Sequence, residues 1–194
     1  MTCYFVRRLA TMLVVILVAP VMVSAQPRAP GLTAGGEAES GVVDLHYLLT
    51  ISDPNSGQAA VTMTISNLSA DICEVEEHGM QGLYINVLTL SAHDSAGHPL
   101  PVQHLPDSGS SWWDQRADVW RIDCGGLSSI VVEYIVRPGV LGDYGWRLGY
   151  IAEDWATFSG ERVFLVPKDT HVNSVAVSFS LPADWEIHTP RTQI

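Results

Sequence analysis

Residues 161–189 read ERVFLVPKDTHVNSVAVSFSLPADWEIHT, and the alternation inside this stretch decides the fold class. Val175, Val177, Phe179 and Leu181 are separated by Ala176, Ser178 and Ser180. A period of two, with one apolar face and one small polar face, is that of a half-buried strand. Val163–Val166 forms a second short apolar run, closed by Pro167, which cannot donate to a sheet ladder. The two runs read as a strand pair. Pro182-Ala183-Asp184 turns the chain, and Trp185 and Ile187 supply bulk to close one end of a core.

The same pattern recurs upstream. Val43, Leu45, Tyr47, Leu49 and Ile51 share one face. Asp53-Pro54-Asn55-Ser56-Gly57 is a turn cluster. Val61, Met63 and Ile65 alternate with Thr62, Thr64 and Ser66 on the return, so the two segments predict a hairpin. Residues 71–81 are less regular. Leu83–Leu90 is a near-continuous apolar run, suited to a strand covered on both faces or to one ending a sandwich edge. Asp94–Gly97 predicts a turn, Leu100 and Val102 a short strand, Val119–Asp123 a strand and Gly125-Gly126 another turn. Ile130, Val132, Tyr134 and Val136 mark one face of a further strand, stopped by Pro138. Residues 139–160 read as a long Gly- and aromatic-rich loop. No amphipathic helical period is present. The expected fold is all-β, an antiparallel β-sandwich of about seven to ten strands spanning residues 42–190.

The amino terminus has its own composition. Arg7 and Arg8 precede an apolar run from Leu9 to Val23, and Val23-Ser24-Ala25 is a small-residue cleavage pattern. This predicts a signal-peptide helix over residues 1–25, hence export to the periplasm or beyond the cell. An uncleaved anchor is the alternative, disfavoured by the shortness of the run and by Pro20. Residues 26–41, rich in Pro, Gly, Ala and Ser, read as a flexible linker. The chain carries a net charge of −11, which argues against nucleic acid and anionic membrane as partners. Once a leader is removed, no other stretch is long and apolar enough to predict a membrane span.

Cys73 and Cys124 are the cysteines outside the leader. In an oxidising compartment they predict one disulfide, worth about 3–4 kcal/mol in the chain-entropy account. Their spacing does not suit a zinc knuckle. Glu76-Glu77-His78 reads as a solvated acidic loop, and His93, His98 and His104 as scattered around one turn with Asp94; neither group makes a specific metal site, and no cofactor is expected. His171 and His188 read as surface residues. No G-x-S-x-G elbow or triad pattern is present. Asn67-Leu68-Ser69 matches a glycosylation acceptor. Trp112-Trp113, Tyr144, Trp146, Tyr150, Trp155 and Phe158 fall in predicted loops. They could plug the sandwich ends, face another domain or stack on a ligand.

Several pieces occur in a familiar order. They are Val119-Trp120-Arg121-Ile122-Asp123, Ile130–Val136, Phe164–Pro167, and Leu181-Pro182-Ala183-Asp184-Trp185 followed by Thr189. With the Leu88–Leu100 strand and turn, this order resembles the N-terminal β-domain of glycyl-aminopeptidase-type zinc metallopeptidases, metallopeptidase family sixty-one. The resemblance implies a substrate-positioning module that packs on a catalytic peptidase domain and meets a peptide substrate. It places Gly82 and Tyr84 in the segment where the family carries W-x-P-G-x-Y, although Gln81 stands for the proline and the tryptophan is missing. With Trp112 and Trp113 these are the substrate-side candidates. The family's H-E-x-x-H helix, two histidines around zinc with a glutamate base, occurs nowhere in the sequence. The chain is therefore expected to be non-catalytic and to stop short of a catalytic domain. The alternative is a free-standing binding sandwich that uses the Trp-rich loops.

Overall fold

Alternating apolar residues with a tight turn between them build the predicted hairpin. Asp53 accepts a hydrogen bond from the Asn55 amide (3.0 Å), and Gly57 takes the left-handed conformation (φ 64°) that brings the chain back. The computed structural model describes residues 3–8, 17–19, 42–77, 85–106, 118–138, 140–141, 146–147 and 149–188. In chain order its strands begin β1 (Cys3–Arg8), β2 (Leu17–Ala19), β3 (Val42–Thr50), β4 (Ala59–Ser66), β5 (Ile72–Glu77) and β6 (Val87–His93). They continue with β7 (Pro99–Leu100), β8 (Val102–Leu105), β9 (Val119–Asp123), β10 (Ser129–Val136), β11 (Val140–Leu141) and β12 (Trp146–Arg147). The last are β13 (Gly149–Ile151), β14 (Trp155–Ser159), β15 (Leu165–Pro167), β16 (His171–Ser180) and β17 (Trp185–His188). Helical structure among the described residues is confined to two 3-10 turns, Pro54–Ser56 and Gly160–Arg162.

The all-β expectation holds. A seven-stranded sheet runs β2-β16-β3-β4-β10-β6-β7, and a four-stranded sheet runs β15-β5-β9-β8. A second four-stranded sheet runs β13-β14-β1-β17, and β11 pairs with β12. Val43, Leu45, Tyr47 and Leu49 of β3 meet Val61, Met63 and Ile65 of β4, Ile130, Val132 and Tyr134 of β10, and Val75, Trp120, Ile122 and Leu165 of the facing sheet in one buried cluster. β3, β4, β5, β9 and β10 each bury every second residue, which is the pleat of a layer covered on one side. The chain passes between layers at Pro101: Pro99–Leu100 pairs with β6, whereas Val102–Leu105 pairs with β9.

The structure corrects three expectations. First, the Val163–Val166 run and β16 are not partners. β15 starts two residues later than read and pairs with β5, while β16 lies parallel to β3. The reason is the turn at Gly160–Arg162 and Tyr134, whose hydroxyl holds Val163 and Leu165 across the core. Second, residues 139–160 are not all loop. Gly149–Ile151 and Trp155–Ser159 form a hairpin, because Tyr150, Ile151, Trp155, Thr157 and Phe158 have side chains that suit a pleated surface. Third, 72–77 is a regular strand with Cys73, Val75 and Glu77 inward, so the acidic segment is not all solvated loop. Of the two readings of Leu83–Leu90, β6 follows the one near a sheet edge: Thr89 and Ser91 are exposed and Leu88 is 40% exposed. The signal-peptide helix is not shown: the described residues of the amino-terminal segment hold no helix. Cys3–Arg8 and Leu17–Ala19 are strands, each laid along a strand that offers unpaired backbone groups.

Candidate functional site

Segments 78–84 and 107–117 carry the candidates Gly82, Tyr84, Trp112 and Trp113, which lie outside the described residues. Their attachment points are well placed. Glu77 ends β5, Leu105 ends β8 and Asp118 precedes β9. The Glu77 amide donates to the Asp118 carbonyl (3.3 Å), and Leu105 is registered with Val119. Glu77, Leu105 and Asp118 thus stand at the same end of the same sheet.

The described residues at this end are polar and partly buried. Glu77 is 5% exposed. Burial first, then repulsion from Asp118, pushes its carboxyl up to about 8, against the pull of an Ile85 amide bond and of Arg162. Glu77 Oε2 and Ser159 Oγ have no hydrogen-bond partner among the described residues. Arg162, 4% exposed, is presented by the Gly160–Arg162 turn. His104 Nε2 lies 3.0 Å from Asp118 Oδ2, with the ring stacked on Trp120 at 5.0 Å. Glu77 is the residue that sequence reading missed. The signal was present in the Cys73, Val75, Glu77 alternation, but a carboxylate at an inward position reads as solvent-facing unless its neighbours are known.

Two buried tyrosines fix this end of the molecule. Tyr47 donates to the Leu165 carbonyl (2.6 Å), and Tyr134 donates to the Val163 carbonyl (3.0 Å) while accepting from the Leu165 amide (3.1 Å). Burial holds both phenols far above their ordinary range. Phe164 packs on Tyr47 with ring centroids 4.6 Å apart. This clamp sets the course of residues 160–167 and with it the position of Arg162.

The remaining candidates do not converge on one centre. His93 Nδ1 lies 2.8 Å from the Asp94 carbonyl, and His98 Nδ1 lies 2.9 Å from Asp94 Oδ2. His93 and His98 thus meet different atoms of Asp94 and His104 meets Asp118, and no three ligand-type side chains gather among the described residues. His171 and His188 are exposed. The Asn67 amide nitrogen, the atom a glycan would take, donates to Asp44. Cys73 and Cys124 are both buried, both free thiols, and next to one another where β5 meets the end of β9. Cys124 Sγ donates to the Ile122 carbonyl (3.6 Å), and the nearness of the two thiols raises Cys73 and lowers Cys124. Phe158 plugs the core at 1% exposure, whereas Tyr150 and Trp155 stand together on the outer side with centroids 5.5 Å apart.

Comparisons with known proteins agree with this architecture. The family model described as "Peptidase M61 N-terminal domain" matches residues 46–194. No curated protein sequence matches the chain. Among solved structures, an aminopeptidase N family protein from Idiomarina loihiensis is similar, with a TM-score of 0.52 and 17% identity. The match covers 72% of this chain and 22% of that one, so the chain corresponds to about a fifth of the larger protein.

Proposed function

The chain belongs to the peptidase M61 N-terminal domain family, and from that premise we propose that it is an exported, non-catalytic module that positions peptide substrate for a zinc aminopeptidase domain. The observation that carries this reading is the coincidence of the family match, 46–194, with the β-sandwich that begins at Val42. The zinc does not fit the residues of this chain: the sequence has no H-E-x-x-H, and no three ligand-type side chains gather among the described residues. The metal and the general base belong to the catalytic domain. This chain contributes the sheet end that carries Glu77, Leu105 and Asp118, and Gly82, Tyr84, Trp112 and Trp113 meet the peptide.

Purified chain should release no p-nitroaniline from glycyl- or alanyl-p-nitroanilide, with or without added zinc. Chelator-resistant turnover would overturn the reading. Joined to an active catalytic domain, Trp112→Ala with Trp113→Ala should raise KM and leave kcat nearly unchanged. An unchanged KM would remove those residues from the substrate side. Sequencing the gene past Ile194 tests the same reading independently, the expected finding being an H-E-x-x-H helix.

Export adds two expectations. Protein recovered from the exporting cell should begin at Gln26. Its Cys73 and Cys124 should be bridged, each thiol losing a proton and one electron to a disulfide-donating oxidoreductase of that compartment. Thiol titration of the unreduced, denatured protein should then find none; two titratable thiols would reject the bridge.

A further inference from the structure

β17 has one neighbour among the described residues, and that neighbour is β1. β14 and β17 run in the same direction, with Cys3–Arg8 between them, antiparallel to both. On one side Tyr4 is registered with Phe158, Val6 with Ala156 and Arg7 with Trp155. On the other, Phe5 is registered with His188, Val6 with Ile187 and Arg8 with Trp185. The amino-terminal segment therefore fills a channel one strand wide, and both walls of that channel come from the domain proper. At one end the walls carry Glu153 and Asp154 just before β14, and Asp184 and Glu186 around the start of β17. The guest strand brings Arg7 and Arg8 to that end, with Arg7 registered opposite Glu186.

A strand that binds through ladder bonds is recognised by its backbone, and pockets or charges along the channel select among sequences. We propose that the channel between β14 and β17 is a strand-acceptor site, held by Cys3–Arg8 in the precursor and open after leader removal to an extended, apolar peptide with a basic carboxyl end. The antiparallel register sets the direction of entry, and the acidic rim sets the preference for a basic end. The proposal rests on the export reading above for the vacating of the channel, whereas the channel's capacity to accept a strand does not depend on it.

Hydrogen exchange on the full chain tests the acceptor site. In the unaltered protein the amides of 155–159 and 185–188 should be protected. Two variants remove the guest by different means: Val6→Pro, which deletes a ladder donor, and Arg7→Glu with Arg8→Glu, which sets like charge against the rim. Each should speed exchange in those two segments by about tenfold or more and leave β3, β4 and β10 unchanged. A synthetic peptide of residues 2–9 carrying Cys3→Ser should restore protection, and the same peptide with both arginines replaced by glutamate should not. Unchanged protection in both variants, failure of the first peptide to restore it, or loss of β3, β4 and β10 protection in both would overturn the proposal. Concentration-dependent dimerisation of the opened chain without peptide would assign the channel to a second copy and overturn it as well. The amino-terminal residue of the exported protein reports leader removal separately, so failure of that reading is distinguishable.

Discussion

Tyr134 illustrates how one side chain joins two layers. Its hydroxyl satisfies a carbonyl and an amide that are both shut away from water. Tyr134→Phe leaves both unpaired, and an orphaned buried polar group costs about 1–3 kcal/mol. Urea unfolding should therefore show a loss of about 2–3 kcal/mol for Tyr134→Phe and about 1–2 kcal/mol for Tyr47→Phe, which orphans the Leu165 carbonyl. Two carboxylates shape the pH profile in opposite senses. Glu77 titrates near 8 in the fold, above its ordinary 4.5. Its buried neutral form is fully compatible with the fold below 4.5, and stability falls as pH rises through about 8. At ~1.4 kcal/mol per pKa unit the loss is on the order of 5 kcal/mol. Glu77→Gln should flatten that alkaline decline in unfolding curves taken from pH 5 to 9, and a persisting decline would place the titration elsewhere. Asp44 is held below its ordinary 3.8 by hydrogen bonds from Ser174 first, then Asn173. Its contribution is present above 3.8 and is lost as pH falls through its folded value, so Asp44→Asn should lessen the acid sensitivity. The tyrosines were legible as core from period alone. Their hydroxyl partners were not, because residues 163 and 165 reach them from more than a hundred positions away along the chain in the case of Tyr47.

Elements with a strict alternation and a clear turn were legible. The β3–β4 hairpin, the Asp94–Gly97 turn and β9 stand close to where the sequence places them. β13 and β14 were not, since strands of three and five residues embedded among glycines give too few periods to be told from loop. Their hairpin depends on Gly149. A Cβ there would lie 2.7 Å from Pro138 Cβ and 3.3 Å from Phe158 Cβ. Neither neighbour can rotate away, because the proline ring is rigid and Phe158 is locked in the core. Gly149→Ala should therefore cost about 1–3 kcal/mol, the usual penalty for overpacking, read as a lowered midpoint in urea with an unchanged slope. A neutral result would mean that β13 shifts away from Pro138 freely. The β16 alternation was equally legible, but its partner was not. Period two says that a strand exists and which face it buries; it does not say whether the neighbour is the preceding run or one at the far end of the chain.

At the scale of the molecule the organising fact is that β3, the first strand of the family match, pairs in parallel with β16, near its end. Asp44 fastens the pair, accepting from Asn173 and Ser174 over about 130 residues of chain, and the Ile51 amide closes the other end on the Ser180 carbonyl (2.9 Å). Closing so long a loop costs entropy before any contact rewards it, which puts refolding in the ms–s range rather than the μs range. It also makes the fold depend on its last third. Ending the chain at Thr170 removes β16, uncovers Val43, Leu45, Tyr47 and Leu49 along one side, and leaves β3 as an open apolar edge. That chain should show no cooperative urea transition and should bind a hydrophobic dye. A chain of residues 42–188, by contrast, keeps every residue of the buried cluster and forgoes only the guest strands β1 and β2. It should unfold in one transition with a slope close to that of the full chain, because slope follows the surface exposed. Slow exchange in β3, β4 and β10 of the 42–188 chain, together with fast exchange in 185–188, would locate cooperativity in the β3–β16 closure. A cooperative transition in the chain ended at Thr170 would instead mean that β3, β4 and β10 suffice, and that β16 is an appendage to a sheet already formed.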